Sequence, residues 1–414
     1  VSGEARKPAG AGLTSVEDAL ATIVGMAGPA LAAETLPLAR CRGRYLAQDL
    51  AALRTQPPFN ASAMDGYAVR DADVAALPAT LRVIGTSAAG HRFAGPLGAG
   101  EAVRIFTGAP VPEGADRVVI QEDTSRDGQD VVVTARSSSS TNIRAAGLDF
   151  SDGQRLIPAG SRLDARLLAL AAAMGHGALT VHRRPRVAIL ATGDELVRPG
   201  EPMGPDQIVT SNSYAVAAMA EDEGAAVIDL GIAGDSFAAL EAAINAARAA
   251  EADVLVTLGG ASVGDHDLVQ SALTAQGMEL GFWRIAMRPG KPLMHGRLGA
   301  MAILGLPGNP VSAIVCALLF LVPLLRHFGG DPAALRERSE EAELAADVPA
   351  NDFRQDYLRA ELIDRPDGVP LVRPFGRQDS SMLSTLAASG ALVLRPPHAP
   401  AAKAGARCRI MRLC

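Results

Sequence analysis

The residues best suited to chemistry sit at turns that follow short apolar runs. The most conspicuous stretch is 253–267. Val254-Leu255-Val256-Thr257-Leu258 is rich in β-branched residues and reads as a strand buried on both faces. Gly259, Gly260 and Gly264 break it, Ser262 lies among them, and Asp265 and Asp267 follow. Leu268, Val269, Ala272 and Leu273 then share one helical face, which Gly277 can end. A buried strand thus feeds a glycine-rich turn that opens a helix. Free backbone N–H groups and the helix dipole favour an anion there. Carboxylates beside a phosphate cradle repel it unless a cation such as Mg²⁺ lies between them. The plainer alternative is a tight strand-to-helix turn with Asp265 as the helix N-cap. The spacing matches neither the P-loop nor the dinucleotide fingerprint.

Two other apolar runs end the same way. Arg186–Ala191 leads into Thr192-Gly193-Asp194-Glu195, and Val227–Ile232 leads into Gly234-Asp235-Ser236. Ser211-Asn212-Ser213 is expected to cap a helix carrying Val216, Met219 and Ala220. Further strands are predicted at Trp283–Met287 and Ala302–Leu306. Leu306-Pro307-Gly308-Asn309-Pro310 starts a long apolar helix, with Asn309 as N-cap and Pro310 at its first position. Alternating strands and helices predict a parallel α/β unit over residues 184–330. Such sheets bind ligands beyond the carboxyl ends of their strands. Here those ends carry Asp194, Glu195, Asp235, Asp265 and the 307–310 turn. Consecutive strands that each end in glycine plus a carboxylate favour a metal-assisted polyanion site over coincidental caps. Nearby cations are Arg288, Lys291 and Arg359, and Lys291 is bracketed by Gly290 and Pro292.

Other elements must frame this unit. Residues 1–13 are expected to be disordered, and Thr14-Ser15-Val16-Glu17 reads as a capping box for a helix bearing Leu20 and Ile23. A strand is expected at Tyr45–Ala51. Small residues from Asn60 meet the Asp65-Gly66 turn and a strand Tyr67–Val69. Short strands at Leu81–Gly85, Ala102–Thr107, Arg117–Gln121 and Val131–Thr134 predict a compact β domain. Ser137–Ser140 is a loop, and Leu163–Met174 has helical spacing. Beyond a linker at Asp331–Ser339, strands are expected at Asp356–Ile363, Val369–Phe375, Ala391–Arg395 and Arg407–Arg412, with a polar loop Gly376–Ser384.

Composition narrows the classes. At 414 residues the chain holds several domains, and 48% apolar residues suffice for real cores. A net charge of −6 argues against a nucleic-acid surface. Cys41, Cys316, Cys408 and Cys414 have no zinc spacing and read as reduced thiols of a cytoplasmic protein. No apolar signal segment opens the chain. The run Val311–Leu325 is shorter than a membrane span and is broken by Pro323, so a buried helix is expected and no membrane contact.

Taken together, Met64-Asp65-Gly66-Tyr67-Ala68, Thr107-Gly108, Asn142-Ile143-Arg144 with Gly147 and Asp149, Thr192–Glu195, Ser211–Ser213, Gly259–Asp265, Pro289–Pro292 and Leu306–Pro310 resemble the molybdopterin molybdenumtransferase family, including the gephyrin E domain. The resemblance covers nearly the whole chain, and the order of the motifs makes it specific. It implies a multidomain α/β plus β protein, an elongated L-shaped homodimer. Its parts would be a split helical linker domain (12–51 and 150–183), a β-rich domain (52–149), a molybdopterin-binding-like α/β domain (184–330) and a C-terminal β-barrel (339–414). It further implies that adenylylated molybdopterin and molybdate react, that molybdenum enters the dithiolene and AMP leaves, and that Mg²⁺ is required.

By the same resemblance the catalytic acidic set is Asp65, Glu195, Asp235 and Asp265, with Asp149 as a further member; Glu195, Asp235 and Asp265 would hold the metal. The oxyanion groups would be Lys291, Ser312, Arg359 and Ser384. Substrate contacts would come from Thr107, Arg144, Thr192, Gly193, Ser211, Asn212, Gly259, Gly260, Ser262, Gly264, Pro307, Gly308, Asn309 and Pro310. Active sites would be shared between subunits, with transient contacts to the molybdopterin adenylyltransferase and to molybdoenzyme acceptors. Asp379 stands where the family's loop often has glycine, which puts a carboxylate near the oxyanion groups. Rival readings are the adenylyltransferase of the preceding step, a non-enzymatic gephyrin-like scaffold, and a metal-dependent nucleotide pyrophosphatase. The first needs neither the β domain nor the barrel. The second lacks a recognisable partner groove, and the third would release AMP without molybdate.

Overall fold

The computed structural model describes residues 13–259, 268–366 and 368–413. The expected disorder of the N-terminal residues therefore lies outside the described residues, apart from residue 13.

A six-stranded sheet forms the middle of the molecule, in the order Ala226–Ala233, Arg186–Thr192, Val254–Leu258, Met301–Leu306, Pro292–Leu298, Glu279–Arg284. The first four strands are parallel, and the last two run antiparallel to their neighbours. The wholly parallel unit read from sequence is thus corrected. Pro292–Leu298 and Met301–Leu306 form a tight hairpin at Gly299, whose φ is 66°. An antiparallel pair needs only such a short turn, with no crossover helix to reveal it. The strand expected at Trp283–Met287 splits. Glu279–Arg284 becomes the sheet edge, while Met287–Arg288 leaves it to join the C-terminal barrel.

Helices cover both faces. Ala19 and Ile23, Val216 and Ala220, and the helical run from Pro310 pack on one face. Leu240, Ile244, Val269 and Leu273 pack on the other. The helix Val16–Ala27 starts one residue later than its sequence suggests. Ser15 is the cap: its Oγ accepts the Asp18 N–H at 3.0 Å and donates to the Asp18 carboxylate at 2.8 Å. Thr14 is occupied elsewhere, its backbone N–H donating to Arg284 O at 3.0 Å. The apolar helical run Pro310–Phe328 has 19 residues, long and apolar enough by composition to cross a membrane, but it is mostly buried within the core. Pro323 does not break it. The turn Ala317–Leu321 widens to π geometry just before the proline, which accommodates its ring and missing donor.

Further units with cores of their own flank this sheet. Leu46, Leu50 and Ala52 pack with Phe150, Ile157, Leu163, Met174 and Leu179, so one core is built from two distant segments. It holds the helix Ala165–Ala173 and small two-stranded pairs; of the strand expected at Tyr45–Ala51 only Leu50–Ala51 forms. The intervening β unit is a six-stranded sheet in which Gly66–Val69 lies between Glu101–Ile105 and Arg117–Ile120. A Cβ at Gly66 would stand 1.9 Å from Val119 O, so the neighbouring strand leaves room only for glycine. At the C-terminus, Gln355–Ile363, Leu371–Pro374, Glu340–Leu344, Arg407–Arg412 and Ala391–Arg395 pair in a closed ring. The strand Glu340–Leu344 and a short helix Leu383–Ala387 at the end of the polar loop have no signal in the sequence pattern.

Candidate functional site

The carboxyl ends of the parallel strands converge as expected of such a sheet. The strand carrying Thr192 lies between those ending at Ala233 and Leu258. Gly193 N–H donates to Ala233 O at 3.1 Å, and Gly259 N–H donates to Leu306 O at 3.1 Å. Gly259 has φ 97°, and a Cβ there would meet Thr192 O at 2.7 Å; this crossing of strand ends requires glycine. Gly308 lies against Gly259, and Asn212 Nδ2 donates to Gly308 O at 2.7 Å. Thr192, Gly193, Asn212, Gly259 and the Pro307–Pro310 turn therefore share one rim. Ser211 begins the helix Asn212–Asp222 without a side-chain capping bond, correcting the capping role expected of it; the tie at this point is made by Asn212 to the 308 turn instead. Gly260, Ser262, Gly264 and Asp265 lie outside the described residues.

The carboxylates of this rim divide by role. Asp194 Oδ1 accepts the Asp235 N–H at 3.0 Å and so ties two strand-end loops together. Glu195 folds over Gly193, where a Cβ would lie 2.4 Å from its Oε2. Glu195 and Asp235 are exposed, and among the described residues neither carboxylate has a hydrogen-bond or ion-pair partner. Among the described residues no group of three His, Cys, Asp or Glu side chains could hold a metal ion. Mg²⁺ does not demand one: it is usually held by one or two carboxylates together with substrate phosphates and water. Two unengaged oxygen-donor side chains beside an anion-suited rim fit that pattern.

A second cluster forms where the barrel meets the start of the long helix. Asn309 precedes the helix but does not cap it with its side chain, contrary to expectation. Its Nδ2 donates to Ser380 Oγ at 3.0 Å, and Val311 N–H donates to Ser380 O at 3.0 Å. Ser312 is buried on the first turn. Gly290, with φ 110°, packs so tightly on this helix that a Cβ would lie 2.5 Å from Cys316 Sγ. The next residue, Lys291, is exposed, and among the described residues it has no ion-pair partner.

Arg359 reaches the same place from the barrel. It is 1% exposed, yet its guanidinium meets only neutral acceptors: Nε donates to Gln378 Oε1 at 3.3 Å and Nη1 to Met382 O at 3.2 Å. Nη2 is buried without any partner. Burial pushes its pKa down, partly offset by Asp379. Asp379 does not pair with it directly. Its Oδ1 accepts from Ser381 N–H at 2.8 Å and Oγ at 2.7 Å, which holds the carboxyl below the usual range and fixes the loop. Ser384 is exposed at the start of the following short helix. Gln378 and Ser380 were missed by sequence reasoning, because nothing in their types or spacing marks them.

The β unit carries a third group. Asp65 Oδ1 accepts from Thr107 N–H at 2.7 Å and Oγ1 at 2.8 Å, and these bonds, the backbone one first, lower its pKa. Arg104 stacks over Tyr67 and Phe106, 5.1 and 4.9 Å from the ring centres, and donates to Gly66 O at 3.0 Å. Ile143 and Arg144 pair with Ser62 and Ala61, leaving Arg144 exposed, and Asp149 is exposed beside Gln56. Among the described residues no hydrogen bond or ion pair joins Asp65, Thr107, Arg144 or Asp149 to the α/β rim.

Family models match the chain in sequence order. Residues 14–175 match the MoeA N-terminal region (domain I and II), 188–327 a probable molybdopterin binding domain, and 341–413 the MoeA C-terminal region (domain IV). The α/β sheet is thus a molybdopterin-binding-like domain set between β-rich parts, which defines the class. The chain is 36% identical to the molybdopterin molybdenumtransferase of a Nostoc species over 88% of its own length and 85% of that protein. It is 34% identical to the enzyme of that name from Haemophilus influenzae, over 87% and 89%. A solved structure of a molybdopterin biosynthesis moeA protein from Pyrococcus horikoshii aligns with a TM-score of 0.82 at 25% identity, covering 97% of this chain and 100% of that one. The chain belongs to the molybdopterin molybdenumtransferase family, a family of transferases in molybdenum cofactor biosynthesis.

Proposed function

We propose that this chain inserts molybdenum from molybdate into adenylylated molybdopterin and releases AMP. One observation carries the reading: a buried guanidinium, that of Arg359, has an Nη2 with no partner, while its Nη1 binds the loop whose Ser380 O accepts Val311 N–H, next to Ser312. A buried cation with a spare donor is costly unless an anion completes it. Arg, Lys and hydroxyl groups suit a tetrahedral oxyanion. Arg359, Lys291, Ser312 and Ser384 would hold molybdate, and the backbone at Gly259 and Gly308 would admit the phosphates of the nucleotide. Mg²⁺ would be held by Glu195 and Asp235 with the 260–267 turn, and would supply neutralisation of the phosphate charge.

The site would be completed in a homodimer. Met64, Phe106 and Leu148 are exposed around Asp65 and Asp149, and Ile208, Tyr214 and Phe237 are exposed around the α/β rim. Large apolar side chains left bare at both groups of residues favour docking of one on the other between subunits. The reaction is tested by AMP release from adenylylated molybdopterin with molybdate titrated in. Release that saturates with molybdate supports the reading; release indifferent to molybdate favours a pyrophosphatase.

A further inference from the structure

The segments that carry the two candidate oxyanion cations are joined by a short strand pairing and by ion pairs of Arg288. Met287–Arg288 pairs in parallel with Gln355 and Asp356 of the barrel strand, and Gln355 N–H donates to Ala286 O at 2.8 Å. In that register Arg288 is opposite Asp356, and their side chains form an ion pair; a second carboxylate, Asp352, lies 3.6 Å from Arg288. Asp356 is 3% exposed, and its Oδ1 has no partner. Arg288 is its one ion-pair partner among the described residues. Arg288 itself is half exposed, so the pair sits at the edge of the interface rather than in a core.

Lys291 follows Arg288 through Pro289 and Gly290. Arg359 follows Asp356 along the barrel strand through Tyr357 and Leu358. Each cation therefore follows the pinned register by three residues of sequence, on segments of different domains. The short link to Lys291 has little slack. Gly290 is wedged on Cys316, and Lys291 O accepts the Ile285 N–H at 3.1 Å.

We propose that Arg288 and Asp356 are positioning residues, which set the separation of Lys291 and Arg359 and so the fit to a tetrahedral oxyanion. This rests on the reading of those cations as the molybdate groups.

The test is calorimetric binding of molybdate to the full chain, without nucleotide, for wild type, Arg288→Met, Lys291→Ala and the double variant. Arg288→Met should weaken molybdate about tenfold, in line with the loss of a supporting contact around a bound group. AMP affinity should stay unchanged, and the double variant should bind no more weakly than Lys291→Ala, since the clamp acts through the lysine. Arg288→Met binding like wild type, or a double loss equal to the product of the single losses, overturns the proposal. Should Arg288→Met fail to fold, Asp356→Asn takes its place, and loss of folding in both means the pair is purely structural. Wild type without molybdate affinity, or Lys291→Ala binding like wild type, would instead count against the underlying oxyanion reading.

Discussion

Replacing Arg359 with methionine separates what a buried cation does for the fold from what it does for a ligand. Methionine keeps much of the length of arginine and removes the charge together with the orphaned Nη2. Relief of one buried unsatisfied donor is worth about 1–3 kcal/mol. Against this stand the hydrogen bonds to Gln378 Oε1 at 3.3 Å and Met382 O at 3.2 Å, long ones, each worth roughly 0.5–1 kcal/mol. Gln378 Oε1 stays satisfied, because the Arg359 backbone N–H also donates to it at 3.0 Å. The balance runs from about 1 kcal/mol less stable to about 2 kcal/mol more stable for the variant. A buried arginine committed to a carboxylate would behave oppositely, costing roughly 3–5 kcal/mol on removal. Ligand adds the second half. Molybdate at a hundred times its dissociation constant should stabilise wild type by about 2.7 kcal/mol and leave the variant unmoved. The assay is urea unfolding of the barrel with and without molybdate, paired with calorimetric titration. A loss of about 3 kcal/mol or more, or a variant that molybdate still stabilises, would refute the reasoning.

Other outcomes follow from the same geometry. His295 is fully buried, with Nδ1 at 3.0 Å from Ile303 O and Nε2 without a partner, and burial lowers its pKa to about 4. The folded state resists protonation, so stability is complete above about pH 6.5 and falls between there and pH 4, by about 1.4 kcal/mol per pH unit. His295→Met should flatten that part of the urea-midpoint profile, and an unchanged slope would show that the imidazole is not responsible. Thr107→Val removes a hydroxyl donor from Asp65, so the acid limb of AMP release should move to higher pH; a shift the other way rules out this account. Asp65→Asn and Asp265→Asn chains, each nearly inactive as homodimers, should regain molybdate-dependent AMP release when co-expressed and purified as a mixed dimer. A mixed dimer as inactive as its parents would exclude shared sites, and so would a wild-type chain that sediments as a monomer.

Much of this protein is local enough to be read from its residues. Val254–Leu258 is a β-branched run followed by glycine, and a strand buried on both faces has few other sequences. Pro310 at the first position of an apolar run starts a helix wherever it is placed. The glycines at 193, 259 and 290 announce special backbone, and all three take positive φ. What required tertiary structure is whatever depends on a partner distant in sequence. Pro292–Leu298 reads as neither strand nor helix, because its pairing comes from a hairpin and its burial from helices placed far along the chain. Asp194 and Glu195 are adjacent carboxylates of one type. Only the loop ending the neighbouring strand decides that the first binds a backbone N–H, while the second has no partner among the described residues. Arg359 is one arginine among many in the sequence. It becomes a candidate anion group because a closed barrel buries it while its long-range neighbours, Gln378 and Met382, occupy only part of its guanidinium.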